Sequence, residues 1–123
     1  MAVTRTKVRI GVFIPSKVQL LDLACVDFFA MLSFDYLVPN HPASLTDLAP
    51  DVSIAYIGTA ASVPMTAQTG ILTTHLISDP AVAPGELDIV LVPGPDPAST
   101  WDEEVKGWLR RHGEAKGTDV LCV

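Results

Sequence analysis

Short apolar runs, each ended by turn-forming residues, predict the strands of a buried sheet. The clearest run covers residues 87–95, where apolar residues interrupted only by Asp88 lead into Pro93-Gly94-Pro95. Continuous apolar character is typical of a strand that is covered on both faces of a parallel sheet. The Pro-Gly-Pro stop marks the carboxyl end of that strand. Similar patterns predict strands over residues 7–14, 51–58 and 119–123.

Two longer segments have helical patterns. Residues 20–33 are too long for a buried strand and are apolar around most of the helical wheel, which predicts a helix buried on two sides. Such a helix would cover a sheet with one side and meet a second subunit with the other. Residues 98–112 predict an amphipathic helix, since four apolar residues share one face: Trp101, Val105, Trp108 and Leu109.

The middle of the chain has weaker signals. Prolines interrupt residues 34–50, which predict a loop with one short helix at 43–48. Residues 63–67 and 71–77 flank a turn around Gly70 and predict a hairpin or two short strands. The alternation of strands and helices predicts an α/β fold with a mostly parallel sheet. All 123 residues fit a single domain.

Composition narrows the classes of function. With 49% hydrophobic and 18% charged residues, the chain can bury a substantial core. A net charge of -6 argues against a nucleic-acid partner, because phosphates bind basic surfaces. We expect no membrane association and a cytoplasmic location, since the sequence has neither a long apolar span nor a signal-peptide pattern.

The cysteines and histidines lack the spacing of metal ligands, so we expect neither a metal nor a cofactor. Cys25 and Cys122 lie in apolar runs, which favours reduced, buried thiols. The three histidines are dispersed along the chain. His112 is interpreted as a partner of the helix dipole. His75 is interpreted either as a hydrogen-bonded sheet residue or as part of a pocket.

Parallel sheets bind ligands at the carboxyl ends of their strands, so the segments that follow two predicted strands are candidates for a ligand site. Gly94 allows close approach of a reacting atom to backbone N–H groups. Asp22 follows the loop after the first strand and has two interpretations: a helix N-cap, or a carboxyl group that holds or delivers a proton. Cys25, three residues later, is either a packing thiol or the partner of that acid.

These segments together resemble the ThiJ/PfpI superfamily of class I glutamine amidotransferase-like proteins. The resemblance rests on Asp22 within Leu-Asp-Leu after the first strand, on Val92-Pro93-Gly94, and on the last strand at 119–123. It is strongest to fungal members and to the isonitrile hydratase branch. It implies a flavodoxin-like three-layer α/β/α fold, commonly dimeric, with a cysteine nucleophile on a strand-to-helix elbow.

Residue by residue, the resemblance implies that Asp22 is the acid and that Gly94 and Pro95 form the oxyanion turn. Pro95 has no N–H, so the donor would be Gly94 or a later amide. Gln19, Cys25 and His75 are candidates for the substrate pocket. The elbow cysteine would follow Val123, and Cys122 is interpreted as a packing residue. We therefore expect the N-terminal half of the fold, packed against a further polypeptide segment.

The resemblance implies a cysteine-dependent hydratase or hydrolase that acts on a small electrophilic carbon, as isonitrile hydratases do. Without the elbow cysteine, this chain alone would be inactive. One alternative is a glyoxalase-like reaction on 2-oxoaldehydes, although relatives with that activity tend to have Glu at the acid position. The other is a non-enzymatic, redox-sensing or ligand-binding dimer module.

Overall fold

Seven strands and four α-helices lie between residues 4 and 123, the part of the chain that the computed structural model describes. The strands are β1 (Lys7–Phe13), β2 (Asp51–Gly58), β3 (Ser62–Pro64), β4 (Gly70–Leu72), β5 (His75–Leu76), β6 (Ile89–Val92) and β7 (Asp119–Cys122). The helices are α1 (Ala24–Met31), α2 (Phe34–Leu37), α3 (Ala43–Thr46) and α4 (Glu103–Glu114). Residues 1–3, which the sequence assigns to the same domain, lie outside the described part.

The main sheet has five strands in the order β5-β2-β1-β6-β7, and every neighbouring pair is parallel. From β1 the chain moves outward through β2 to β5, and it then returns to the other side of β1 as β6. The strand order therefore reverses between β1 and β6. This reversal is the topological switch point of a doubly wound sheet, where ligands bind beyond the carboxyl ends of the strands.

Alternate residues of the central strand β1 face opposite layers. Ile10 and Val12 pack in one core with residues of α1, including Val26. Phe13 points the other way and packs in a second core with Val105 and Trp108 of α4. Helices thus cover both faces of a parallel sheet, which explains why its strands are apolar on both sides. The predicted three-layer, flavodoxin-like α/β/α architecture is confirmed.

Aromatic rings dominate the core beneath α4. Phe13 stacks on Trp108 with 4.8 Å between ring centroids, and Trp101 meets Phe13 edge to face at 5.4 Å. The fully buried His112 ring lies 4.0 Å from Trp108, and its Nε2 is 3.0 Å from the Val82 carbonyl oxygen. The dipole interpretation of His112 is wrong, because burial lowers its pKa more strongly than the hydrogen bond to Val82 raises it.

Both long helices begin later than their apolar patterns predict. A 3-10 turn at Leu21–Leu23 precedes α1, which covers the sheet with one side only and leaves Phe28 70% exposed. The prediction of burial on two sides is therefore not met within residues 4–123. Asp102 caps α4 by accepting a hydrogen bond from the Val105 N–H, so Trp101 precedes the helix.

The predicted hairpin is shorter than its pattern. β3 and β4 pair antiparallel, whereas His75–Leu76 leaves the hairpin and joins the main sheet beside β2.

The predicted helix at 43–48 is confirmed as the shorter α3, and α2 was not predicted. Among the described residues, no helix is long and apolar enough to cross a bilayer.

Alanine should have opposite effects on stability at two glycines, one packed inside the core and one on an open helical face. A Cβ on Gly11 would lie 2.6 Å from Leu87 Cδ1 and 2.8 Å from Ile57 Cδ1. We expect Gly11→Ala to lower the free energy of unfolding by about 1–3 kcal/mol through overpacking. Gly113→Ala, on an open helical face, should raise it by about 0.5–1 kcal/mol. Denaturant titrations test the pair, and equal effects would contradict the packing described.

Burial of His112 predicts a loss of stability in mild acid. Because a carbonyl oxygen only accepts, Nε2 carries the proton, and the buried Nδ1 has no described partner for a second one. The folded pKa is lowered, so the stabilisation is complete above the unfolded value of about 6.5 and is lost as the pH falls below it. Denaturant unfolding across this range should show a steeper decline in the wild type than in His112→Gln. The exposed His41→Gln variant is the control and should keep the wild-type slope.

Candidate functional site

Two loops meet at the carboxyl edge of the sheet, beside the switch point. One follows β1 and the other follows β6. Val18 of the first loop forms isolated bridges with Met65 and with Pro95. The Asp96 N–H donates to the Lys17 carbonyl oxygen at 3.2 Å. These backbone bonds fix the two loops relative to each other, so side chains on either loop have defined positions.

The carboxylate of Asp22 lies directly against Gly94. A Cβ built on Gly94 would be 3.0 Å from Asp22 Oδ2 and 3.6 Å from the Val123 carbonyl oxygen. Asp22 and Gly94 are both half-buried. The acid, the glycine turn and the end of β7 therefore converge at one point, and a Cβ at position 94 would require the Asp22 carboxylate to shift.

The N-cap interpretation of Asp22 does not hold. Asp22 lies inside the 3-10 turn Leu21–Leu23, and its carboxylate accepts no hydrogen bond from the described residues. The N-cap position of α1 is Leu23, which makes no side-chain capping bond. The carboxylate is consequently available to a ligand at the crevice, rather than committed to the helix backbone.

Gly94 offers a backbone donor next to this acid. Within residues 4–123, the Gly94 N–H donates no hydrogen bond. Pro95, which is exposed, has no N–H to offer. A free amide beside a carboxyl group can bind an anionic or polarised atom, while the acid supplies or removes a proton.

Trp101 packs against both loops and connects them to the core. Trp101 Nε1 donates to Ser16 Oγ at 3.1 Å, and the space between Phe13, Pro93 and Trp101 has no room for a water molecule. This role of Ser16 was not predicted from the sequence. A Pro-Ser pair at the end of the first strand was the available signal, but its partner is 85 residues away in the chain.

The other predicted pocket residues have different environments. Cys25 is half-buried, and its thiol donates to the Asp22 carbonyl oxygen at 3.5 Å, so it braces the turn that carries the acid. Gln19 is exposed on the loop after β1. His75 Nδ1 lies 2.8 Å from Thr74 Oγ1, which fits the interpretation as a hydrogen-bonded sheet histidine. His75 lines a separate cavity of about 190 Å³ with Arg9 and Ser53.

Cys122 differs from the expectation of a buried thiol. Both cysteines are free, and Cys122 is exposed at the end of the edge strand β7. The Val123 N–H donates to the Val92 carbonyl oxygen at 3.0 Å, which extends the pairing of β7 with β6 to the carboxyl edge. The carboxyl end of β7 thus lies beside Gly94. Cys122 is the last residue of β7 and pairs with Val92.

Two further electrostatic interactions were not predicted. Asp88 interrupts its apolar strand because it accepts from the Arg9 N–H at 2.7 Å and from the guanidinium at 3.1 and 3.2 Å. These bonds lower the pKa of the Asp88 carboxyl group. On the opposite face, burial and the charge of Asp27 raise the pKa of Tyr56. Among residues 4–123, no three His, Cys, Asp or Glu side chains form a metal-binding group.

No family model matches the sequence, and no curated protein matches it either. Solved structures do. A DJ-1 superfamily protein from Agrobacterium tumefaciens aligns with a TM-score of 0.62 and 14% identity, over 94% of this chain and 52% of the other. A ThiJ/PfpI family protein from Pseudomonas syringae aligns with a TM-score of 0.62 and 15% identity, over 94% and 41%. An AraC family transcriptional regulator from Pseudomonas putida aligns with a TM-score of 0.59 and 14% identity, over 87% and 59%.

At these identities the likeness shows a shared fold. The chain has the α/β fold of DJ-1 and ThiJ/PfpI superfamily structures, and this supports the resemblance found in its sequence. The likeness does not distinguish the fungal or isonitrile hydratase branch from the others. The chain spans about half the length of the structures that it matches.

The Trp101–Ser16 bond predicts a measurable contribution to the stability of the loops. Removing the hydroxyl in Ser16→Ala leaves the indole N–H without its acceptor, so we expect a loss of about 1 kcal/mol in the free energy of unfolding. The exposed Ser78→Ala variant is the matched control and should change stability little. Denaturant unfolding followed by tryptophan fluorescence measures both variants. Equal stability of the two variants would show that the bond does not anchor the loop.

Proposed function

We propose that this chain supplies the acid and the oxyanion turn of a cysteine-dependent enzyme that adds water to a small electrophilic carbon, with an isonitrile as the substrate class. The observation that carries the proposal is the contact between Asp22 and Gly94 at the switch point. The nucleophilic thiol would come from a segment outside these 123 residues that projects into the same crevice. The resemblance of the sequence implies such a cysteine on the elbow after the last strand.

The geometry suits the two needs of this chemistry. A half-buried carboxyl group without a described hydrogen-bond donor can exchange a proton with a bound ligand. The Gly94 amide can stabilise negative charge that develops on the substrate. Both groups are fixed by loops that are bonded to each other, which limits the reorganisation needed during the reaction.

The proposed reaction has two stages. The thiolate adds to the terminal carbon of the isonitrile, and Asp22 donates a proton to that carbon, which gives a thioimidate. Water then adds to the same carbon while the nitrogen takes a proton. The carbon–sulfur bond breaks, the thiolate leaves, and the hydroxyl proton returns to Asp22. The product is an N-substituted formamide, and both catalytic groups recover their starting states.

The glyoxalase-like alternative has less support. It calls for a histidine partner at the acid. His75 lines a separate cavity, His112 is buried on the inner side of α4, and His41 Nδ1 lies 3.2 Å from the Leu37 carbonyl oxygen. None of the three is among the groups that meet at Asp22.

The non-enzymatic alternative has one specific observation in its favour. A transcriptional regulator of the AraC family shares this fold over 87% of the chain. A ligand-binding or redox-sensing module would use the same crevice without turnover. In either case we propose a cytoplasmic protein that forms a homodimer, since the resemblance of the sequence implies a fold that is commonly dimeric.

Replacing the acid tests the enzymatic proposal. In the full protein, Asp22→Asn should lower kcat by about 10²–10⁴-fold, because the amide cannot donate or accept the proton. The circular dichroism spectrum and melting temperature should stay at wild-type values. The exposed Asp47→Asn variant is the control and should retain full turnover. Unchanged turnover in Asp22→Asn would remove this residue from the mechanism.

The substrate class is tested by parallel incubations. The full protein is incubated with cyclohexyl isonitrile, with methylglyoxal and with hydrogen peroxide, and products and protein mass are measured. Formamide formation supports the proposal. Lactate formation would support the glyoxalase alternative, and an oxidised cysteine without any product would support the sensing module.

A further inference from the structure

A cavity distinct from both the Asp22–Gly94 site and the His75 cavity lies on the α1 face of the sheet. It has a volume of about 290 Å³. Its lining comes from the 3-10 turn before α1, from α1 itself, from β2 and from β4. It consists of Leu20, Leu23, Ala24, Asp27, Tyr56 and Ile71. Neither Asp22 nor Gly94 contributes to it. The cavity therefore belongs to a part of the surface that the proposed reaction does not use.

Helical spacing creates one wall of this cavity. Residues 20, 23, 24 and 27 are separated by three, one and three positions, so they share one side of the helical segment. Asp22 points away from this side, towards Gly94. Most of the wall is apolar, and Asp27 supplies one carboxylate at its end.

The polar groups of the cavity are a carboxylate and a phenol. Asp27 is exposed and has no ion-pair partner among residues 4–123. Tyr56 is half-buried, and its pKa is raised, mainly by burial and further by the charge of Asp27. The carboxylate and the phenol line the same cavity, and the phenol stays neutral at physiological pH.

We propose that this cavity binds a small organic cation, an ammonium group attached to a compact apolar body. The carboxylate of Asp27 would pair with the ammonium group, and the ring of Tyr56 would offer a face to it. Leu20, Leu23 and Ile71 would contact the apolar part of the ligand. A bound anion would instead meet a carboxylate, and no Lys or Arg lines the cavity.

The overall charge of the protein favours the same class of ligand. The net charge of -6 produces a negative potential that attracts cations and repels anions. A neutral ligand of the same shape would fill the apolar wall but leave Asp27 unpaired. The site should therefore distinguish charge among ligands of equal size.

Three probes of similar shape test this inference on the full protein. Benzylammonium, benzyl alcohol and benzoate are titrated into ¹⁵N-labelled protein, and amide shifts are followed by NMR. We expect saturable shifts centred on residues 20–27, 56 and 71 with benzylammonium. Binding of benzyl alcohol should be roughly fivefold weaker, and benzoate should not bind. Equal binding of the cation and the alcohol would overturn the proposal.

Two variants locate the binding groups. Asp27→Asn should weaken benzylammonium binding roughly fivefold and remove the preference over benzyl alcohol. Tyr56→Phe, which keeps the ring, should retain most of the affinity. Asp35→Asn, a change at another exposed carboxylate on α2, is the control and should bind as the wild type does.

Unchanged binding in Asp27→Asn, or shifts located away from the cavity, would refute the site. A second copy of the chain could cover the same surface. Light scattering and the concentration dependence of the residue 20–27 shifts detect this, and a cavity closed by self-association would also overturn the proposal. None of these readouts depends on turnover at Asp22, so they separate this inference from the proposed reaction.

Discussion

The parallel pairing of β1 with strands on both sides is the constraint on which the structure depends. β1 pairs with β2 along its whole length and with β6 over residues 10–12. The chain leaves β1 in one direction and β6 in the other, so the loops after these strands separate at the carboxyl edge. A crevice at this position is a consequence of strand order, and Asp22 and Gly94 lie at its two sides.

Burial of β1 on both faces also limits its sequence. Its side chains alternate between the α1 core and the α4 core, and Gly11 leaves space that Leu87 and Ile57 fill. The two helical layers are unequal. α4 buries its apolar face against Phe13, whereas α1 presents apolar side chains both to the sheet and outward. An apolar pattern around a whole helix therefore indicates two contacts, of which the described chain makes one.

Local patterns were sufficient to predict the strands and the α/β class, because strand character depends on neighbouring residues. The convergence of Asp22 and Gly94 was also predictable, since the carboxyl ends of parallel strands share an edge. Contacts that depend on distant partners were not. Asp88 is explained by Arg9, 79 residues away, and His112 by Val82, 30 residues away. His75–Leu76 is only two residues long, so its apolar pattern could not show whether it belongs to the β3–β4 hairpin or to the main sheet.

Asp22 and Asp27 show how position decides what a carboxylate can do. They are five residues apart in one helical segment, yet they face different surroundings. Asp22 is half-buried against Gly94, whose N–H donates no hydrogen bond within residues 4–123, and this is the position for which we propose proton transfer. Asp27 is exposed beside Tyr56 and an apolar wall, where we propose that it pairs with a cation. The 3-10 turn and the first turn of α1 thus place two carboxylates in different surroundings, which is why we propose a different role for each.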